Sequence, residues 1–160
     1  MIKIFARVLR PFIHALKALT PLVDLLARIW VGQIFFLSGL TKISSWETTT
    51  MLFRHVYHVP LLSPFLAAVL GTAAELILPV LLVLGVGGRV IIFMFFVYNA
   101  IAAISYPFLW TAQGAAGLEQ HVDWSLLLML LMCHGPGSWS LDNLIYRSHG
   151  HHLNKLENRY

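Results

Sequence analysis

The chain has 160 residues, of which 58% are hydrophobic and only 11% charged, and its mean hydropathy is +0.75. This composition lies outside the usual balance of a soluble domain and predicts an integral membrane protein. The formal net charge of +4 indicates topology and contact with anionic lipid. The sequence shows no Walker, Rossmann, HExxH or GxSxG pattern and no basic stretch interleaved with aromatic residues, so neither soluble-enzyme chemistry nor nucleic-acid binding is expected.

The first segment, 2–18, predicts an amphipathic helix lying at the membrane interface. Its basic residues recur at steps of three and four and so share one face of the helix. They are Lys3, Arg7, Arg10, His14 and Lys17, and apolar residues cover the opposite face. Pro11 is expected to bend or restart this helix. No small-x-small cleavage site precedes the next apolar run, so the segment is expected to be retained.

The apolar runs that follow predict transmembrane helices at about 21–40, 61–86, 90–110 and 119–134. Each is near the roughly 20 residues that cross a bilayer as a helix, although the last is short. The runs are continuously apolar, which favours helices over the alternating strands of a membrane barrel. The predicted fold is therefore all-α, a single domain over 1–160 that forms an integral membrane antiparallel four-helix bundle.

Two connections support this arrangement. "GVGGR" at 85–89 is a tight turn that makes the second and third spans antiparallel neighbours. "GPG" at 135–137 breaks the chain after the fourth span, and an amphipathic C-terminal interfacial helix at about 139–148 precedes the tail. Lys and Arg concentrate before the first span, between the second and third, and after the fourth, so both termini are expected in the cytoplasm.

One polar residue from each predicted span falls in a common layer. Arg28, Glu75 and Asn99 lie roughly 10 to 15 Å from the cytoplasmic ends of their spans, and His134 enters from the fourth. An unpaired charge at mid-span costs about 2.5 to 3.5 kcal/mol, so Arg28 is predicted to pair with Glu75. Together with Tyr106 on the outer side, these residues predict a pocket for a small anionic or quinone-like ligand. The alternative is a structural ion pair that fixes helix register.

A second group of polar residues lies around the predicted outer ends of the spans. Four side chains are expected to shape the outer mouth of the pocket: Lys42, Tyr57, His58 and His121. If "RHVYH" at 54–58 is helical, His55 and His58 share one face. A metal site there is only a weak alternative, because interfacial histidines without a ligand are commoner, and no metal site is predicted.

The sequence resembles the DoxX family of small four-helix membrane proteins. The resemblance lies in "ARIWVGQIFFLSGLTKI", "LGTAAELILPVLLVLGVGGR" and "HVDWSLLLMLLMCHGPGSWSLDNLI". Arg28 and Lys42 match the first-span pattern of that family, Glu75 its second-span acid, and 135–142 its closing motif. "SGLTKISSWETT" and "NAIAAISYP" further resemble the branch encoded beside enzymes that make copper-binding, post-translationally modified peptides.

The resemblance implies a subunit of a redox or stress-defence system in the bacterial inner membrane, linked to a quinone or to a thiol. The branch implies a non-enzymatic alternative, a transport or maturation factor for a copper-binding modified peptide. Only one cysteine, Cys133, is present, which excludes a dithiol pair within one chain. Helix faces rich in Gly and Ala suggest a homo-oligomer or a membrane complex.

Overall fold

The computed structural model describes the backbone of residues 2–148 and the side chains of residues 9–148. All regular secondary structure in this part of the chain is helical, which confirms the all-α prediction. The elements are, in order, α1 (Ile2–Ser44), α2 (Trp46–His55), α3 (Pro64–Leu84), α4 (Gly88–Ser105), a 3-10 turn (Pro107–Trp110) and α5 (Ala115–His134). A last helical stretch covers 141–148, and the predicted tail beyond it lies outside the described residues.

α1 is a single helix of 43 residues where two elements were predicted. It continues through Pro11 and Pro21, so the structure has no separate interfacial helix over 2–18. A proline removes one backbone hydrogen bond, and an apolar helix can continue past it where the adjoining turns remain bonded. At about 1.5 Å per residue α1 is about 65 Å long, roughly twice the thickness of a bilayer core, so only part of it can cross a membrane.

Three of the described helices are long and apolar enough to cross a membrane: Leu9–Ser44 within α1, Pro64–Leu84 and Gly88–Ser105. They indicate a multi-pass membrane protein. α5 has 20 residues, but Glu119, His121 and Asp123 lie in its first half, and it is not among the three. A bundle of four membrane-crossing helices therefore remains a prediction.

Contacts between α1 and α3 show that these helices run antiparallel. Arg28 reaches the Val83 carbonyl oxygen near the end of α3, whereas Lys42, further along α1, meets Glu75 in the middle of α3. Gly39 lets the two helices approach closely, because a Cβ at this position would lie 2.9 Å from the Leu76 side chain.

The turn between α3 and α4 is built on glycine. Gly85 and Gly87 have φ angles of 67° and 74°, in the left-handed region that side chains with a Cβ disfavour. The last helical stretch docks on this turn, since Asp142 accepts a hydrogen bond from the Gly87 N–H and donates its own N–H to the Gly85 carbonyl. We call this end of the molecule the turn end.

α2 lies at the opposite end, which we call the α2 end. Phe53 of α2 is buried against Ala67 and Ala68 of α3. The loop after α2 is tied to α4, because the His58 N–H donates to the Ser105 carbonyl oxygen at 2.7 Å. α2 and its loop thus cover the ends of α3 and α4.

Aromatic packing joins α1 to α4 and α5. The Phe35 ring meets the Phe95 and Trp124 rings edge to face, with centroid separations of 4.8 and 5.2 Å. Phe35 and Phe95 are buried in the main apolar cluster, and Trp124 packs against it. This cluster separates the polar groups at the turn end from those nearer the α2 end.

Candidate functional site

A cavity of about 430 Å³ lies between α1, α3, α4 and α5, towards the α2 end. Most of its lining side chains are apolar or aromatic, among them Phe35 and Trp124, and Phe53 and Tyr57 line it from α2 and the following loop. The volume falls within the roughly 300 to 1,000 Å³ of small-molecule sites. The hydroxyl, imidazole and charged groups in its wall therefore define what it can bind: Ser38, Lys42, Tyr57, Glu75, Tyr98, Ser105, Tyr106 and His121.

The strongest polar contact in the wall is an ion pair between α1 and α3. Lys42 Nζ lies 2.6 Å from Glu75 Oε2 and donates a second hydrogen bond to the Ser38 hydroxyl at 2.8 Å. The Tyr98 hydroxyl lies 3.0 Å from Glu75 Oε1 and 3.2 Å from the Gly71 carbonyl oxygen. The opposite charges of the two groups offset each other, and the pair is nearly dry, since the Glu75 side chain is 7% exposed and that of Lys42 16%.

A second polar group joins α4 to α5. The amide nitrogen of Asn99 donates to the His121 carbonyl oxygen at 2.9 Å and to the Ser125 hydroxyl at 2.8 Å. Its amide oxygen lies 2.7 Å from His121 Nδ1. Asn99 is fully buried and does not itself line the cavity, but it holds the His121 ring in the cavity wall.

The predicted pair between Arg28 and Glu75 is wrong. Arg28 is 1% exposed and donates from Nη1 to the Val83 carbonyl at 3.3 Å and from Nη2 to the Trp139 carbonyl at 2.6 Å. The antiparallel register sets Val83 opposite Arg28, and Glu75 lies eight residues away along α3, about 12 Å. Because helical side chains lean toward the N-terminus of their helix, Arg28 reaches further from Glu75 and toward the turn end.

His134 also lies outside the cavity, contrary to the prediction. Its Nδ1 is 3.2 Å from Asp24 Oδ1 at the turn end. Asp24, Arg28 and His134 form a group that we call the turn-end cluster, and it holds the segment after α5. Within that segment the Ser140 hydroxyl donates a hydrogen bond to the Gly137 carbonyl oxygen and accepts one from the Asn143 N–H. The closing motif is therefore part of the fold, not of the cavity.

Besides Lys42, three of the residues predicted for the outer side of the pocket line the cavity. Tyr57 and Tyr106 have ring centroids 5.1 Å apart, and His121 faces the same space. Burial raises the pKa of the Tyr57 phenol, with Tyr106 and Glu75 acting in the same direction. The phenol therefore stays a neutral hydroxyl.

The other two histidines of this region do not line the cavity. His55 and His58 are exposed. Among the described residues no group of three or more His, Cys, Asp or Glu side chains is arranged to hold a metal ion.

Three polar residues of the wall were not predicted from the sequence: Ser38, Tyr98 and Ser105. Tyr98, the second partner of Glu75, starts a stripe along α4 that lines the cavity and continues through Ile101, Ala102 and Ser105. This i, i+3, i+4, i+7 spacing is visible in the sequence and marks one helix face. Ser105 adds a buried hydroxyl that has no hydrogen-bond partner within the described residues.

The family model for DoxX matches residues 23–110, more than half of the chain. This chain belongs to the DoxX family. The match covers the Lys42 and Glu75 pair, Tyr98 and Ser105, whereas His121 lies beyond its end. No curated protein and no solved structure matches the chain.

Proposed function

We propose that this DoxX-family protein binds a quinone-like ligand in the cavity, as a multi-pass subunit of a redox or stress-defence system in the bacterial inner membrane. The observation that carries the proposal is a small-molecule cavity whose walls combine aromatic rings with a nearly dry ion pair. Three of those rings belong to Phe35, Tyr98 and Trp124.

The chemistry of the wall fits a quinone ring. Such a ring is flat and carries carbonyl acceptors, so it needs aromatic or apolar walls and hydrogen-bond donors. The Lys42 ammonium has three N–H donors, and Glu75 and Ser38 accept two of them. The third N–H of Lys42 and the unpartnered Ser105 hydroxyl would bind the ring oxygens. A buried hydroxyl without a partner costs about 1 to 3 kcal/mol, and a ligand that bonds the Ser105 hydroxyl would remove that cost.

The redox chemistry would belong to the bound ring, since quinones accept and release electrons together with protons. The protein would orient the ring and exclude water. Cys133, the single cysteine of the sequence, is exposed and lies beside the turn end, where Arg89 donates to its carbonyl. It is 12 residues from His121 along α5, about 18 Å, and does not line the cavity, so its thiol has no part in the proposed quinone site.

We further propose that α5 crosses the membrane as the fourth helix, with both termini and the turn end in the cytoplasm. Its 20 residues span about 30 Å, the thickness of a bilayer core. The Asn99 amide of α4 donates a hydrogen bond to the Ser125 hydroxyl of α5, and polar groups inside a membrane need such partners. Arg89 at the turn end agrees with the positive-inside rule.

A copper-binding modified peptide is the alternative partner. The cavity of one chain has the volume of a small molecule, so a path for a peptide would require an oligomer. Retention of such a peptide in cells that lack the protein would favour this alternative.

The test is to extract the purified protein and identify bound molecules by mass spectrometry. Ala102 lines the cavity, and Ala102→Phe would fill it without removing a polar group. Ile104 on the same helix is exposed, and Ile104→Phe is the matched control. We expect a quinone near one per chain in the wild type and the control, and its loss in Ala102→Phe. If the wild type carries none and binds no added quinone, the quinone function is refuted.

A further inference from the structure

The hydrogen bonds of Asn99 determine which nitrogen of His121 carries a proton. The group 2.9 Å from the His121 carbonyl oxygen must be the amide nitrogen of Asn99, since a carbonyl oxygen only accepts hydrogen bonds. The Ser125 hydroxyl, 2.8 Å away, accepts the second hydrogen of the same nitrogen. The amide oxygen of Asn99 is therefore the atom that faces His121 Nδ1 at 2.7 Å.

An amide oxygen accepts hydrogen bonds and cannot donate them. His121 Nδ1 must then carry the hydrogen, and in the neutral ring Nε2 is left with a lone pair. Within the part of the chain that the structure describes, no hydrogen bond reaches Nε2. The ring is held between Phe35 and Trp124, with centroid distances of 6.5 and 4.8 Å, so it cannot turn freely to exchange its two nitrogens.

We infer that His121 presents to the cavity, through Nε2, a group that accepts hydrogen bonds and cannot donate them, and that the site therefore favours a ligand carrying a ring hydroxyl, the hydroquinone, over the quinone. This inference rests on the proposed function and names the form of its ligand. It is carried by the hydrogen bonds of Asn99 and by the place of His121 in the cavity wall.

The remaining polar groups of the wall do not discriminate between the two forms of the ligand as Nε2 does. The hydroxyls that line the cavity, such as those of Ser105 and Tyr57, can donate to a carbonyl as readily as they accept from a hydroxyl. Lys42 only donates hydrogen bonds. Both Glu75 oxygens already have partners, one in Lys42 and the other in Tyr98. A quinone carbonyl facing Nε2 would set two lone pairs against each other, whereas a hydroquinone hydroxyl would donate to it. A site that bonds a ligand hydroxyl rejects the analogue lacking it, because the protein group is left unpaired.

The test compares the affinities of one ligand pair for the protein in detergent under anaerobic conditions. The probes are a benzoquinone with a ten-carbon tail and the hydroquinone made from it by two-electron reduction. We expect the wild type to bind the hydroquinone about five- to tenfold more tightly, the worth of one neutral hydrogen bond. His121→Phe keeps a ring in the aromatic packing and should bring the ratio near one. His55→Phe, at an exposed residue outside the cavity, should leave the ratio unchanged.

A second measurement reads the histidine directly. In protein labelled with ¹⁵N-histidine, the signals missing from His121→Phe belong to His121. We expect a protonated Nδ1 and an unprotonated Nε2, with the Nε2 resonance shifting when the hydroquinone is added. The protonation state is read on the wild type itself, and the variant serves only to assign the signals, its other histidine resonances showing that it is folded.

The outcomes separate this inference from the function on which it rests. If neither probe binds the wild type, the quinone function itself is overturned. If both bind but their ratio does not respond to His121→Phe, or if His121 carries its hydrogen on Nε2, the role of His121 is overturned and the quinone function stands.

Discussion

Replacing Lys42 and replacing Glu75 should lower the free energy of unfolding by different amounts, although the two residues form one ion pair. Lys42→Met leaves the Glu75 carboxylate in a wall where its side chain is only 7% exposed, with Tyr98 as its remaining partner. An uncompensated charge at such depth costs about 2.5 to 3.5 kcal/mol on insertion scales, and breaking a buried pair costs about 3 to 5 kcal/mol. We therefore expect Lys42→Met to lower the free energy of unfolding by about 3 kcal/mol.

Glu75→Gln should cost less, about 1 to 2 kcal/mol, for two structural reasons. The Gln oxygen can still accept the hydrogen bond of Tyr98. The Lys42 side chain is 16% exposed and lies two residues before the end of α1 at Ser44, so its long stem can carry the ammonium toward the interface. The double variant has no charge left to bury and should cost about 1 kcal/mol, less than the sum of its parts.

The measurement is a double-mutant cycle on the free energy of unfolding, from reversible denaturation in mixed micelles followed by circular dichroism. Ser38→Ala, which removes only the second acceptor of Lys42, is the control and should cost about 1 kcal/mol. A coupling energy below about 0.5 kcal/mol, within the error of additivity, or a larger loss in Glu75→Gln than in Lys42→Met, would refute this account of the pair.

Three further predictions concern the turn end and the topology. Arg28→Met should undock the segment that contains Trp139, so protease should cut there at least about tenfold faster, each charged hydrogen bond being worth about 1.5 to 3 kcal/mol; an unchanged rate would contradict the clamp. Gly85→Ala should cost about 1 to 3 kcal/mol in unfolding free energy, because φ is 67° there and a Cβ would collide with Ser140. Residues 113 and 133 lie at opposite ends of α5. A membrane-impermeant maleimide should label the double variant Gln113→Cys, Cys133→Ser in intact cells, whereas Cys133 of the wild type should react only in inverted vesicles. Labelling of both positions from one side would refute the crossing of α5.

The class of the protein follows from properties of the chain that need no tertiary contact. Apolar runs of about 20 residues predict helices and a membrane because a bilayer leaves no other partner for the backbone. The glycines at 85 and 87 predict the turn because few other residues adopt its φ angles. Even the stripe of Tyr98 and Ser105 can be read from helical spacing along α4.

The partner of each charged residue was decided only by the tertiary structure. Depth counting placed Arg28 and Glu75 in one layer, but the register between α1 and α3 depends on how side chains such as Gly39 and Leu76 pack. A shift of two helical turns exchanges every neighbour without changing the hydropathy pattern. The depth of a Cα atom also does not give the depth of its charged group, since the Lys42 and Arg28 side chains reach about a turn from their own Cα atoms.

The sequence by itself thus determined that the chain forms apolar helices, where the tightest turn lies and which residues carry charge. Only the tertiary structure decided that Lys42, not Arg28, neutralises Glu75, and that Arg28 holds the segment after α5. The reason is physical: burial and helix formation depend on the local pattern of side chains, whereas pairing depends on which faces meet and at what register, and these arise from packing between residues distant in the chain.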